Sequence, residues 1–114
     1  METAIWNGPL VPYVRTTQRQ KWVDKRYKRY QRWKDAFRLC LNTQAFPSEL
    51  VPARRYELSI EIYADKKVRY DLDNAVKAVM DAAWSQDKQI KVLKAEIKED
   101  QGIDFVKVML WRTQ

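Results

Sequence analysis

An α+β domain is what this sequence predicts, and three observations carry the prediction. Residues 56–63 alternate Tyr56, Leu58, Ile60 and Ile62 with Glu57, Ser59, Glu61 and Tyr63, the period of two of a half-buried strand. Residues 24–41 and 71–84 instead repeat their apolar side chains every three or four positions, the period of an amphipathic helix. Two further apolar runs, 90–97 and 104–111, close the chain as strands. The resulting order, β-α-β-α-β-β, is a mixed or antiparallel sheet covered by two helices. The 114 residues make one domain, 1–114, and 46% hydrophobic content gives it a core of its own.

Taken in order, residues 3–6 form a short first strand, stopped by Gly8-Pro9 and Pro12. Residues 15–21 read as a basic loop. The first helix places Tyr30, Trp33, Phe37, Cys40 and Leu41 on one stripe, with Asp24 as its N-cap. Its opening turns hold Lys25, Arg26, Lys28, Arg29 and Arg32, cations at the positive end of the helix macrodipole. Local stability does not account for them, whereas a phosphate backbone would relieve the repulsion. Pro47 and Pro52 bracket a loop, and residues 65–70 are a charged connection. The second helix carries Leu72, Val76, Val79, Met80 and Ala83 as its apolar stripe. The turn signal Glu99-Asp100-Gln101-Gly102-Ile103 joins the last two strands as a hairpin.

Composition removes several chemistries. The chain contains no histidine, so Ser-His and Cys-His nucleophiles, histidine acid–base catalysis and the usual zinc sites are excluded. Its one cysteine, Cys40, forms no internal disulfide and fits a reducing cytoplasm. No apolar run is long enough to span a bilayer, and the N-terminus lacks a secretory signal pattern. The net charge of +7 lies wholly in residues 1–40, and residues 41–114 sum to zero. A localised basic segment is the electrostatic footprint of a polyanion binder. Arg15, Arg19, Lys21, Lys25, Lys28 and Arg29, interleaved with Trp22 and Tyr27, are the expected DNA-backbone contacts. Six phosphate contacts would give a log–log salt slope of about −5.

The chemistry is concentrated in Asp71-Leu72-Asp73-Asn74, followed by Lys77, Asp81 and Asp87. Asp71 stands at the helix start, where non-helical backbone lets its carboxylate swing toward that of Asp73. Converging carboxylates repel until a cation separates them, and hard oxygen ligands suit Mg²⁺, with Mn²⁺ as a substitute. Asp87 lies past the far end of the helix. It reaches such a site only if the following strand curls back or a second subunit supplies it. Lys77, one turn after Asp73, is placed to stabilise charge on a phosphate or to orient the attacking water. Asn74 and Asp81 are supporting residues, Asp81 being expected to hold the Lys77 ammonium. The ordinary alternatives are a capping Asp71, a solvated Asp73–Lys77 pair worth about 0.3–0.5 kcal/mol and a turn residue at Asp87. The spacing D-x-D-N-x-x-K-x-x-x-D weighs against them, since chance gives roughly one match in a few million starting positions.

The string from Arg69 and Tyr70 through Asp71, Asp73, Asn74, Lys77 and Asp81-Ala82, followed by Asp87-Lys88-Gln89-Ile90, resembles the RusA family of Holliday-junction resolvases. The resemblance is most specific over residues 66–98, and Pro9, Pro12 and Arg15 match the family's opening. It implies a RusA-like fold and a Mg²⁺-dependent homodimer that cuts four-way double-stranded DNA junctions symmetrically, in recombination and repair. It would make Asp71, Asp73 and Asp87 the metal-binding acids and Lys77 the catalytic lysine. Arg69 and Tyr70, directly before Asp71, are placed to reach the junction branch point, where the ring could stack on an unpaired base, with a purely structural Tyr70 as the alternative. The chain departs from the pattern at Ala83-Trp84-Ser85-Gln86, shorter than in many relatives, with Gln86 where an acid is usual. That departure keeps open a second reading, a non-catalytic branched-DNA-binding module with a degenerate acidic site. For the dimer interface, the apolar strand positions Val106, Val108 and Leu110 are the candidates from pattern.

Overall fold

The computed structural model describes residues 1–14 and 25–113. Arg15, Arg19, Lys21, Trp22 and the expected N-cap Asp24 lie outside the described residues. Within them the order is β1 (Glu2–Asn7), α1 (Lys25–Thr43), β2 (Arg55–Tyr63), α2 (Leu72–Ala83), β3 (Ile90–Lys98) and β4 (Phe105–Thr113). All four strands form one mixed sheet in the order β1-β4-β2-β3. β4 runs antiparallel to both β1 and β2, and β2 pairs with β3 in parallel.

That order corrects the expected hairpin, because β3 and β4 are not neighbours. Helix α2 carries the chain back along the sheet, so β3 re-enters parallel to β2, as a crossover connection requires. The edge beside β2 that remains for β4 is the one on its far side. The connecting turn therefore crosses the end of β2 and is tied to it. Gln101 N–H donates to the Ala64 carbonyl (2.9 Å), and Asp65 N–H donates to Oδ1 of Asp104 (2.9 Å). Asp100 and Gly102 take positive φ there (57° and 72°), which a short polar side chain and a glycine tolerate. The turn and the strands it joins were legible in the sequence; that those strands would not pair with each other was not.

The core lies between the sheet and the helices. Leu58, Ile60 and Ile62 of β2 and Val106, Val108 and Leu110 of β4 meet Tyr30, Trp33, Phe37 and Leu41 of α1. Val106, Val108 and Leu110 are thus covered within one protomer and offer no dimer interface, because the alternation of β4 turns them toward the helices. The stripe expected on α2 also needs correction. Its buried residues are Ala75, Ala78, Val79, Ala82 and Ala83, whereas Leu72 is exposed and Val76 and Met80 are only half-buried. Small side chains let the helix sit close on the sheet, and the larger ones turn sideways, toward the edge strand β3. Position along the helix, not size, decides which residue is core.

Helix α1 grips the C-terminal end of α2. The hydroxyl of Tyr30 donates to Oδ2 of Asp81 (2.8 Å), and the ammonium of Lys34 meets the same oxygen at 2.9 Å. Arg38 donates to the carbonyls of Ala82 (2.7 Å) and Asp81 (3.3 Å). The last turn of α2 holds no basic residue of its own, so a cation from the neighbouring helix satisfies its free carbonyls and its negative dipole end.

Candidate active site

Between α2 and β3 lies an open cleft of about 850 Å³, with Asp73 and Lys77 toward the start of the helix and Asp87 beyond its end. Its walls are largely apolar, from Leu72, Val76 and Met80 on the helix and Leu93 and Ala95 on the strand. Leu72 and Leu93 are 42% and 44% exposed, an unusual degree for leucines flanking one groove. This is where the misplaced half of the α2 stripe goes.

Asp71 is the N-cap of α2 by backbone (φ −84°, ψ 158°), its carbonyl accepting from Ala75 N–H at 3.1 Å. Its carboxylate makes no capping hydrogen bond. The ordinary explanation for an aspartate at this position is therefore missing: the backbone turns as a cap, and the side chain is left exposed and unspent. Asp73, in the first turn, is likewise exposed. Two negative side chains at the positive end of a helix suit the macrodipole, and together they can present hard oxygens to a divalent cation.

Asp87 does not join them within one protomer. Among the described residues no group of three acidic or other ligating side chains is close enough to hold a metal ion. The physical reason is the length of α2, 12 residues or roughly 18 Å, which separates its start from the loop that leads into β3. In that loop the backbone carbonyl of Asp87 accepts from Ile90 N–H at 3.0 Å, and its half-buried side chain lines the cleft. The buried Gln89 holds the same loop, its carbonyl accepting from Tyr56 N–H at 3.0 Å.

Lys77 is exposed on the cleft side, and the partner expected for it is taken. Asp81 is bound by Tyr30 and Lys34, on the side of α2 that faces α1. The Lys77 ammonium instead lies over the ring of Tyr13, 5.0 Å from its centroid. The expected support of Lys77 by Asp81 is corrected on this point: Asp81 accepts bonds from α1, and an aromatic face is what Lys77 meets. Sequence reasoning missed Tyr13 altogether. Its only local signal is a position one residue after Pro12, and nothing in that spacing points across to α2.

The expected DNA-contact residues divide. Lys25, Lys28 and Arg29 are exposed on the outer face of α1, opposite Tyr30, Trp33 and Phe37. Arg69 is exposed. Tyr70 is half-buried against the rim of the core, its phenol raised above its ordinary value first by burial and then by Asp104 and Glu99. Asn74 is half-buried and gives its backbone carbonyl to Tyr13 N–H at 3.3 Å.

Free carboxylates at a helix start, a lysine one turn on and a cationic helix alongside are the equipment of an enzyme that works on a phosphodiester. The family model described as endodeoxyribonuclease RusA matches residues 9–110. The chain belongs to the RusA family, the Holliday-junction-resolving endodeoxyribonucleases that act on branched DNA. No curated protein matches it. No helix among the described residues is long and apolar enough to cross a membrane.

Proposed function

We propose that this protein is a Mg²⁺-dependent endonuclease, with Mn²⁺ able to substitute, that resolves four-way DNA junctions by paired symmetric nicks. It works as a homodimer, in which Asp87 of the partner subunit completes the site begun by Asp71 and Asp73. The observation that carries this reading is the division of the acids: the exposed carboxylates of Asp71 and Asp73 stand at the start of α2, where Asp73 lines the cleft, and Asp87 lines the same cleft beyond the helix end. A two-fold operation that lays the cleft of one protomer against its partner's reverses the direction of α2 and exchanges the two ends. The exposed Leu72 and Leu93 and the half-buried Val76 and Met80 supply apolar surface for that contact. A pair of opposed sites also suits a substrate that needs two matching cuts.

Asp71 and Asp73, with Asp87, would hold the metal, and their exposed oxygens fit a hard cation. Bound there, the ion supplies charge neutralisation at the phosphate and lowers the pKa of the attacking water. Lys77 sets its ammonium beside the scissile phosphate and neutralises the charge that develops on its oxygens. Lys25, Lys28, Arg29 and Arg69 bind the backbone on either side. The charge pattern and the single cysteine fit a cytoplasmic DNA enzyme.

Subunit mixing tests both the activity and the division of the site. Asp71→Asn and Asp87→Asn homodimers should each lose junction nicking by about a hundredfold or more. Mixed and re-equilibrated, they form heterodimers in which one site is doubly damaged and the other intact. Nicking should then return to about one quarter of the wild-type level, as statistical pairing dictates. No recovery on mixing would place Asp87 in the same protomer's site, and full activity of the Asp87→Asn homodimer would remove it from the site. The non-catalytic reading is favoured only by the short 83–86 segment. Wild-type protein that binds junctions in Mg²⁺ without producing nicks would establish it.

A further inference from the structure

Among the described residues no acid is paired with Lys77, and a lysine side chain is long and strongly hydrated. A flexible ammonium beside a reacting phosphate is useful only when its position is restricted. The restriction in this chain comes from outside α2. Tyr13 belongs to the segment after β1, yet it lines the cleft with its ring under the Lys77 ammonium. At 5.0 Å from the centroid the ammonium is within the range of a cation–π contact.

The ring is held from two directions. Its own backbone N–H donates to the Asn74 carbonyl (3.3 Å), which fixes Tyr13 to the first turn of α2, three residues before Lys77. Its ring packs edge-on against Tyr30, with centroids 5.7 Å apart and planes at 82°, a favoured aromatic arrangement. Tyr30 is itself fully buried and bonded to Asp81. Asp81 therefore reaches Lys77 indirectly: it holds Tyr30, Tyr30 backs Tyr13, and Tyr13 faces the lysine.

We infer that Tyr13 is a positioning residue for catalysis: its aromatic face holds the Lys77 ammonium in the cleft that Asp73 also lines. The inference rests on the proposed nuclease function for its catalytic consequence, though not for the contact itself. The role requires an aromatic ring and makes no use of the hydroxyl.

Two measurements test it. In lysine-resolved NMR of the wild-type protein, the ring current of Tyr13 should move the Lys77 ε-methylene protons upfield of the other lysines. Tyr13→Phe should keep that displacement, and Tyr13→Leu should abolish it. On a synthetic four-way junction with Mg²⁺, Tyr13→Leu should lower kcat about three- to tenfold with KM nearly unchanged, and Tyr13→Phe should restore most of the rate. In a Lys77→Met background, Tyr13→Leu should cost nothing further, because the two residues act through one group. An undisplaced Lys77 signal in the wild type overturns the inference, whether or not the leucine variant folds well. So does a Tyr13→Leu enzyme that cuts at the wild-type rate. Failure of the nuclease reading would look different: wild-type protein with the displaced Lys77 signal but no junction cleavage.

Discussion

Two aspartates on one helix have opposite circumstances. Asp81, near the end of α2, accepts a tyrosine hydroxyl and a lysine ammonium from α1. Asp71, at the start, makes no capping bond through its side chain, and among the described residues it accepts no other, although its backbone takes the cap geometry that usually recruits it. Residue type alone does not separate the two. The difference is that α1 brings hydrogen-bond donors to Asp81, whereas the start of α2, where Asp71 stands, is left exposed. An acid whose hydrogen-bonding capacity is used by the fold is architecture. One whose capacity is left over is free for a ligand.

The contrast breaks most decisively at Asp71. Asp71→Asn should reduce junction cutting by about a hundredfold or more while leaving the melting temperature where it was. Junction binding should hold or tighten, since a negative charge near phosphate is removed. Cleavage gels, gel-shift titration and a thermal melt on one preparation separate the three effects. A large fall in melting temperature would make Asp71 structural after all.

Asp81→Ala should do the reverse. It leaves the buried Tyr30 hydroxyl without an acceptor, a loss of about 1–3 kcal/mol, and the melting temperature should fall by several degrees. The Lys34 pair adds little, because the Asp81 side chain is 43% exposed. Asp81→Asn, which keeps an acceptor oxygen, should recover most of the stability. Denaturation midpoints of the two variants check this, and equal losses would refute the hydrogen-bond account.

The smallest effect is a pH dependence at the architectural end. Burial first, and then the bond to Asp81, raise the Tyr30 phenol well above its ordinary value of 10.0. The unfolded chain therefore releases this proton at lower pH than the folded one does, and stability must fall as pH rises past about 10. Tyr30 contributes fully below that point. The slope added by this one group is at most about 1.4 kcal/mol per pH unit. Tyr30→Phe should flatten it in denaturation curves taken between pH 9 and 11.

The helices and strands were legible because their periods are local properties of the chain. β2 reads as a strand from its alternation, and α1 from the spacing of Tyr30, Trp33 and Phe37. The acidic motif was legible too, since Asp71, Asp73 and Lys77 fall within two helical turns. Partnership was not legible. The same helical arithmetic that placed Asp81 one turn from Lys77 does not say which residue α1 brings against it. Leu72, Val76 and Met80 read as core by size and spacing, but the sheet is met by the alanines between them.

Length, charge and periodicity alone determined a single α+β domain, a cationic first third, the absence of histidine chemistry and a carboxylate-rich helix start. These depend on residue identity and on intervals of a few positions, which a linear chain displays directly. Tertiary structure alone decided that β4 inserts between β1 and β2, that Asp87 forms no ligand cluster with Asp71 and Asp73 among the described residues, and that Tyr13 lies under Lys77. Each of those facts depends on which surfaces meet once the backbone has folded back on itself. Contacts between residues tens of positions apart are set by how the whole core packs, not by any interval that can be counted along the sequence.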